Sequence, residues 1–184
     1  MSSVVPIWEE NLFLTQRLSG RVLDIGCGQG DYTLRLLDLS NVKSVVAADI
    51  LALSIKSATF SSWGISHVQC DMESLPFKYG VFDSVFCWRA MQYVRDGERA
   101  LREFARILVP GGLLMMRMPI DPNGLPKDSE FEDELATGRA DAFTWRTFWD
   151  AKTLEAKARG ARLVPTSENY IDRSASQVRL FRRV

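Results

Sequence analysis

Histidine occurs once in this 184-residue chain, at His67, and cysteine three times, at Cys27, Cys70 and Cys87. The cysteines are odd in number, far apart and without a Cys-x-x-Cys pair, so neither a disulfide framework nor a zinc cage is expected, and no metal site with them. Each follows an apolar run and precedes a polar residue or a turn, which fits reduced thiols in a cytosolic protein. An excess of charge is also missing. With 23 Lys+Arg against 23 Asp+Glu the formal net charge is zero, so the chain lacks the electrostatic footprint that binds a nucleic-acid backbone. No apolar run approaches the length of a bilayer span, and Met1 to Glu10 holds no basic segment followed by an apolar stretch. The expected location is cytoplasmic.

What is present is the composition of an ordinary globular protein, 46% hydrophobic and 25% charged, enough to bury a core within one domain spanning 1–184. Short apolar runs rich in branched residues alternate with longer amphipathic segments, the pattern of β-α-β units around a parallel sheet. Strands are expected at Arg21–Ile25, Ser44–Ala48, Ile65–Cys70, Phe82–Cys87 and Leu113–Met118, then at Ala161–Glu168 and Gln177–Arg182. The last two are close enough in sequence to pair as an antiparallel edge hairpin. Helices are expected at Asp31–Leu39, Leu51–Ser61, Glu98–Leu108 and Thr147–Arg159, where apolar residues recur at three- and four-residue spacing. Pro110-Gly111-Gly112 is read as the stop of the third helix and the turn into the next strand. The segment 119–146 interrupts the alternation with Pro122, Gly124, Pro126 and an acidic run from Asp128 to Glu134. It reads as a substrate-side insertion, with a solvated surface loop as the alternative.

The strand Val22-Leu23-Asp24-Ile25 runs into Gly26, Gly28 and Gly30 at alternate positions and then into a helix. Glycine allows positive φ and close approach of a ligand, and a helix N-terminus offers free amides to a carboxylate. The dinucleotide fingerprint would require glycine at Asp31, so Gly30 is one position early for NAD or FAD. Asp49 ends the next apolar run, where a carboxylate can accept from both hydroxyls of a ribose; capping the helix that begins near Leu51 is the competing role. Asp71 and Met72 follow the third strand, where the carboxylate can accept from the exocyclic amine of an adenine and the thioether can cover the ring. Three nucleoside contacts stand in order.

In these stretches, with Phe82–Cys87, Met91-Gln92-Tyr93-Val94 and Leu101–Leu114, the chain resembles the Rossmann-like class I S-adenosylmethionine-dependent methyltransferases from about Leu12 onward. The resemblance implies a three-layer α/β fold with a mostly parallel seven-stranded sheet and an antiparallel C-terminal edge hairpin. S-adenosylmethionine is the implied cofactor and S-adenosylhomocysteine its product. It further implies that Asp24 and the backbone of Gly26, Cys27, Gly28 and Gly30 hold the methionine part, Asp49 and Ile50 the ribose side, and Asp71 with Met72 the adenine, with Cys87 and Trp88 beside the sulfonium. Trp88 and Gln92 depart from the residues common in the family, which argues against borrowing a relative's substrate.

Methyl transfer from a sulfonium is a displacement governed by alignment and exclusion of water. An anionic acceptor needs no dedicated base, whereas an amine or alcohol must lose a proton. His67, at the start of the third strand and opposite the cofactor end, reads as structural. Acceptor-side candidates are Trp8, Arg89, Tyr93, Phe143, Trp145 and Arg146. Trp145, Phe148 and Trp149 share a helical face that equally suits a core stripe. The expected acceptor is a small organic molecule methylated at oxygen, nitrogen or carbon. The alternatives are a carrier-bound or peptide acceptor, or a non-catalytic cofactor-binding subunit. Arg179, Arg182 and Arg183 hint at an anion-binding surface.

Overall fold

The computed structural model describes residues 15–52, 65–119, 149–171 and 176–184. Seven strands form one sheet: β1 Gly20–Ile25, β2 Val42–Asp49, β3 Ser66–Gln69, β4 Phe82–Trp88, β5 Leu108–Pro119, β6 Leu163–Ile171 and β7 Ser176–Arg183. Their order is β3-β2-β1-β4-β5-β7-β6. The first five are mutually parallel and β7 runs antiparallel to both β5 and β6. The C-terminal pair therefore forms as expected, except that β7 lies inside the sheet and only β6 is its edge.

Strand alternation assigns side chains to two layers. Leu23, Ile25, Val46, Ala48, Val85, Cys87, Leu114 and Met116 face one way and pack with α2 (Gly97–Ile107) and α3 (Ala151–Gly160). Val22, Val45, Phe86, Trp88, Leu113, Met115, Val178 and Leu180 face the other way, with Leu36 of α1 (Asp31–Leu37). Because both faces are covered, the central strands carry continuous apolar runs such as Val45-Val46-Ala47-Ala48, all buried. Asp96 and Asp150 start α2 and α3 by accepting from the amides of Arg99 and Thr153 at 2.9 and 2.7 Å, the N-cap role that short carboxylates favour. Trp149 precedes that cap, so it lies outside the helix; its ring is half-buried against the core. The expected helix Leu51–Ser61 lies outside the described residues from residue 53 onward, as does all but the first residue of the 119–146 insertion. Among the described residues no helix is long and apolar enough to cross a membrane.

Two expectations are corrected. First, Pro110-Gly111-Gly112 does not separate helix from strand: α2 ends at Ile107 and β5 begins at once with Leu108. The pairing passes from Phe82↔Leu108 to Ser84↔Leu113, so β5 advances five residues while β4 advances two, and the motif forms a bulge inside the strand. Second, the C-terminal arginines serve the fold. Arg179 bonds Gln177 and Glu155 at 3.0 and 3.2 Å. Buried Arg183 donates to the Leu108 carbonyl and the Tyr79 hydroxyl and stacks on the Tyr79 ring at 4.2 Å. Arg182 donates to the Gly111 carbonyl at 3.0 Å.

The bulge glycines differ in what they require. Gly111 adopts φ +77° with open space where a Cβ would stand, whereas a Cβ on Gly112 would lie 2.8 Å from the Val109 carbonyl oxygen and 3.1 Å from that of Asp83. Backbone atoms on both sides leave little room to relax. Gly111→Ala is expected to cost about 1–2 kcal/mol through its dihedral, and Gly112→Ala about 1–3 kcal/mol, the larger of the two, through overpacking. Urea unfolding of both variants checks this; equal or reversed losses would refute the packing argument.

Candidate functional site

The parallel strands end along one edge, and their order turns back between β1 and β4, the place where open α/β sheets leave a crevice. At the end of β1, Asp24 is 2% exposed and accepts from the Thr33 hydroxyl of α1 at 2.5 Å. Burial raises its carboxyl to about 7, opposed by the Thr33 bond and helped by the nearby Asp49 charge.

The turn that follows is built from backbone. The amides of Gly26 and Cys27 both donate to the Ala48 carbonyl, at 2.8 and 3.1 Å, and Gly30 donates to the Cys27 carbonyl at 2.9 Å. Gly26 has φ +75°, and a Cβ there would stand 2.2 Å from the Ala90 Cβ, so protein packing itself requires glycine. Gly28 also has positive φ, +53°, yet a Cβ there would meet nothing within 4 Å. Its bare backbone faces open space. The Cys27 thiol is 8% exposed, and burial pushes it far above the usual range, which makes it a poor nucleophile.

Asp49 ends β2 and binds two backbone amides, one of them in the segment it was expected to cap. One carboxylate oxygen accepts from the Gly28 amide at 2.9 Å and the other from the Leu51 amide at 2.9 Å. A carboxylate offers about four acceptor positions, so capacity remains for a ligand. Ile50 beside it is 58% exposed.

Asp71 follows β3, exposed, and accepts from the Glu73 amide at 2.9 Å. Met72 is half-buried, its terminal methyl 4.0 Å from the position of a Gly26 Cβ. Two clamps that sequence reasoning missed hold this loop. Glu73 accepts from the amides of Arg95 and Asp96 at 2.6 and 3.1 Å. Glu103 of α2 accepts from the Leu75 amide at 2.8 Å, and Arg106 donates to the carbonyls of Phe77 and Leu75 at 2.7 and 2.9 Å. The hydrogen bonds from Arg106 hold Glu103 below the usual carboxylate range against partial burial. The only signal available in sequence was the three-residue spacing of Glu103 and Arg106 on a helix; their loop partners lie some thirty residues away, at |i−j| of 28 to 31.

Cys87 and Trp88 end β4 on opposite faces. Cys87 is fully buried against the α2 layer, its thiol pushed up to about 12 by burial, so its side chain lines no cleft. Trp88 lies on the α1 face, stacked on Phe86 at 5.2 Å and tilted against Tyr32 at 5.6 Å. Its indole N–H is buried with no hydrogen-bond partner among the described residues. Arg117 of β5, a residue sequence reasoning did not single out, is 2% exposed, and its guanidinium stands 5.5 Å from the Trp88 ring. Arg89 is exposed with φ +58°; its amide donates to the Arg117 carbonyl at 3.0 Å, and its carbonyl accepts from Gln92 at 2.8 Å. Tyr93 is half-buried in a 3-10 turn, Met91–Tyr93. Trp8, Phe143, Trp145 and Arg146 lie outside the described residues. His67 is exposed on the outer strand β3, level with Ala47 and two residues before the Asp49 level.

A family model described as a methyltransferase domain matches residues 23–116, from β1 through most of β5. The chain belongs to the class I S-adenosylmethionine-dependent methyltransferase family. Among relatives of this methyltransferase domain, the demethylmenaquinone methyltransferase of Thermus thermophilus is 34% identical over 109 residues, 56% of this chain and 50% of that protein. The human mitochondrial arginine-hydroxylase NDUFAF5 is 33% identical over 96 residues, 52% of this chain and 28% of that protein. The chain thus spans half or less of the length of these curated relatives. The structure of an S-adenosylmethionine-dependent methyltransferase from Mesorhizobium loti superposes with a TM-score of 0.76 at 18% identity, over 96% of this chain and 97% of that one, which establishes the fold.

The raised Asp24 pKa has a consequence for stability. The folded chain holds this proton more tightly than the unfolded chain, so the contribution is full below 3.8 and is lost as the pH rises through about 7. Without ligand, the stability of the wild type relative to Asp24→Asn is expected to fall by up to about 4 kcal/mol between about pH 4 and about pH 8. Urea unfolding across that range measures it, and parallel stability curves for the two proteins would overturn it.

Proposed function

We propose that this domain transfers the methyl group of S-adenosylmethionine to a small organic acceptor, at oxygen, nitrogen or carbon, and releases S-adenosylhomocysteine. The observation that supports this best is the succession of Asp71, Asp49 and Asp24 at the ends of β3, β2 and β1, in the order of an adenine, a ribose and an amino-acid tail. Gly28 fits the same reading, since its backbone borders open space at the point where the turn passes Asp49. When bound, S-adenosylmethionine supplies an electrophilic methyl group on a sulfonium.

The residues have separable tasks in this reading. Asp49 would hold the ribose hydroxyls while keeping the Gly28 amide, and Asp71 would take the adenine amine while Met72 covers the ring. Asp24 would face the cationic end of the methionine part, an interaction that favours its ionised form and so draws its proton off near neutral pH. The Glu73 and Glu103–Arg106 clamps position the adenine loop against the glycine turn. Thermus demethylmenaquinone methyltransferase supports a small organic acceptor by its name alone.

Calorimetric titration with S-adenosylmethionine and S-adenosylhomocysteine tests this directly. Binding of both is expected, and a folded sample that binds neither at near-millimolar ligand would sink the proposal. Asp49→Ala is expected to weaken binding by about 1–3 kcal/mol through lost charged hydrogen bonds. Unchanged affinity in a variant with wild-type circular dichroism would remove Asp49 from the site.

A further inference from the structure

We propose that Trp88 and Arg117 form an acceptor subsite for a planar organic carboxylate, an inference that rests on the methyl-transfer reading above and specifies its substrate class. Position carries the first part. From β3 through β2 to β1, the proposed cofactor contacts advance from Asp71 to Asp49 to Asp24, and the next strands in that order are β4 and β5. On those strands Trp88 pairs with Arg117. The β1–β4 register sets Asp24 against Phe86, so Trp88, two residues on, stands level with the start of the glycine turn. Asp24, Phe86, Trp88 and Arg117 all point to the α1 face, because they alternate with the residues of the α2 layer.

Chemistry carries the second part. A buried arginine lies over a buried indole, 5.5 Å from guanidinium to ring centroid, at the ends of two parallel strands. The indole N–H is a donor with no acceptor among the described residues, and a buried donor calls for a partner. A guanidinium has five N–H donors in a planar fork, so Arg117 can keep an existing contact and still receive a carboxylate oxygen. Both groups donate and neither accepts. Tyr32, half-buried and tilted against Trp88 and Phe86 at 5.6 and 6.0 Å, offers an aromatic ring beside them to a planar body. The ligand that satisfies all of these is flat and carries an acidic group.

A carboxylate acceptor also removes the need for a base. His67 is three strand spacings from β4, about 14 Å at about 4.8 Å per strand, and is exposed on the far edge of the parallel set. An acceptor that arrives ionised brings its own nucleophilic lone pair.

The test uses the S-adenosylhomocysteine-loaded protein titrated calorimetrically with benzoate and with benzamide, its neutral isostere. Benzoate is expected to bind at least about tenfold more tightly. Arg117→Met is expected to remove that preference, and Trp88→Phe, which keeps a ring and deletes the N–H, to weaken benzoate by about three- to tenfold. Should Arg117→Met fail to fold, Trp88→Phe and Arg117→Lys decide, the latter retaining charge while losing the fork and hence part of the preference. Equal binding of benzoate and benzamide, or wild-type benzoate affinity in the folded variants, overturns the subsite. Loss of S-adenosylhomocysteine binding by the wild type would instead overturn the methyl-transfer reading.

Discussion

The Gly28 amide donates to the Asp49 carboxylate, while the Gly26 and Cys27 amides share the Ala48 carbonyl. These three bonds fasten the turn after β1 onto the end of β2, and the rest of the site is placed relative to them. The turn reaches Asp49 because three of its residues adopt positive φ, a path that ordinary side chains oppose. Fastening one side of the turn to β2 leaves its other side to meet the loop after β4, where Gly26 lies directly against Ala90. One backbone loop thereby sets the spacing between the β2 end and the segment that follows β4.

The charged groups divide by how much of their surroundings they have lost. Asp24 is buried with one hydroxyl partner and is pushed up to about 7, so a small change nearby alters its charge at neutral pH. Glu103 and Arg106 form a short ion pair at 2.7 Å that also satisfies the backbone of the Leu75–Phe77 segment. That pair works by fixing a loop. The exposed Arg102 contacts with Asp96 and Glu98, at 3.9 and 3.8 Å, fix no loop and carry little free energy in solvent. The electrostatics of the crevice thus have a responsive element at β1 and a rigid one behind β3.

The parts legible in sequence are those governed by local periodicity. The strand-glycine-helix run from Val22 to Asp31 and the both-faces-buried strands announce themselves because adjacent residues share one environment. The start of β5 was hidden because Pro110-Gly111-Gly112 is turn chemistry by composition, and only pairing with β4 reveals that the turn is a bulge. The arginines at the C-terminus were hidden for the complementary reason. Their partners, Leu108, Tyr79 and Glu155, lie 24 to 104 residues away, and nothing local tells a paired guanidinium from a solvated one. Asp49 shows an intermediate case, since the ribose and capping readings competed in sequence although one carboxylate has acceptor positions enough for both.

Trp88 shows how resemblance and strand physics combine. The resemblance to the family implies that residues 87 and 88 both lie beside the sulfonium, but a strand cannot present neighbours to the same side. Cys87 goes to the α2 layer and Trp88 to the α1 face, so the two differ in what they can touch. An indole at that position fills the space beside Phe86 and Tyr32 and presents its ring to the Arg117 guanidinium. Arg117 is in turn linked to the loop after β4 through the Arg89 amide. An indole there therefore supplies more than volume. It places a buried N–H donor and an aromatic face under the Arg117 guanidinium at the end of β4, the kind of local detail by which one fold can serve different chemistries.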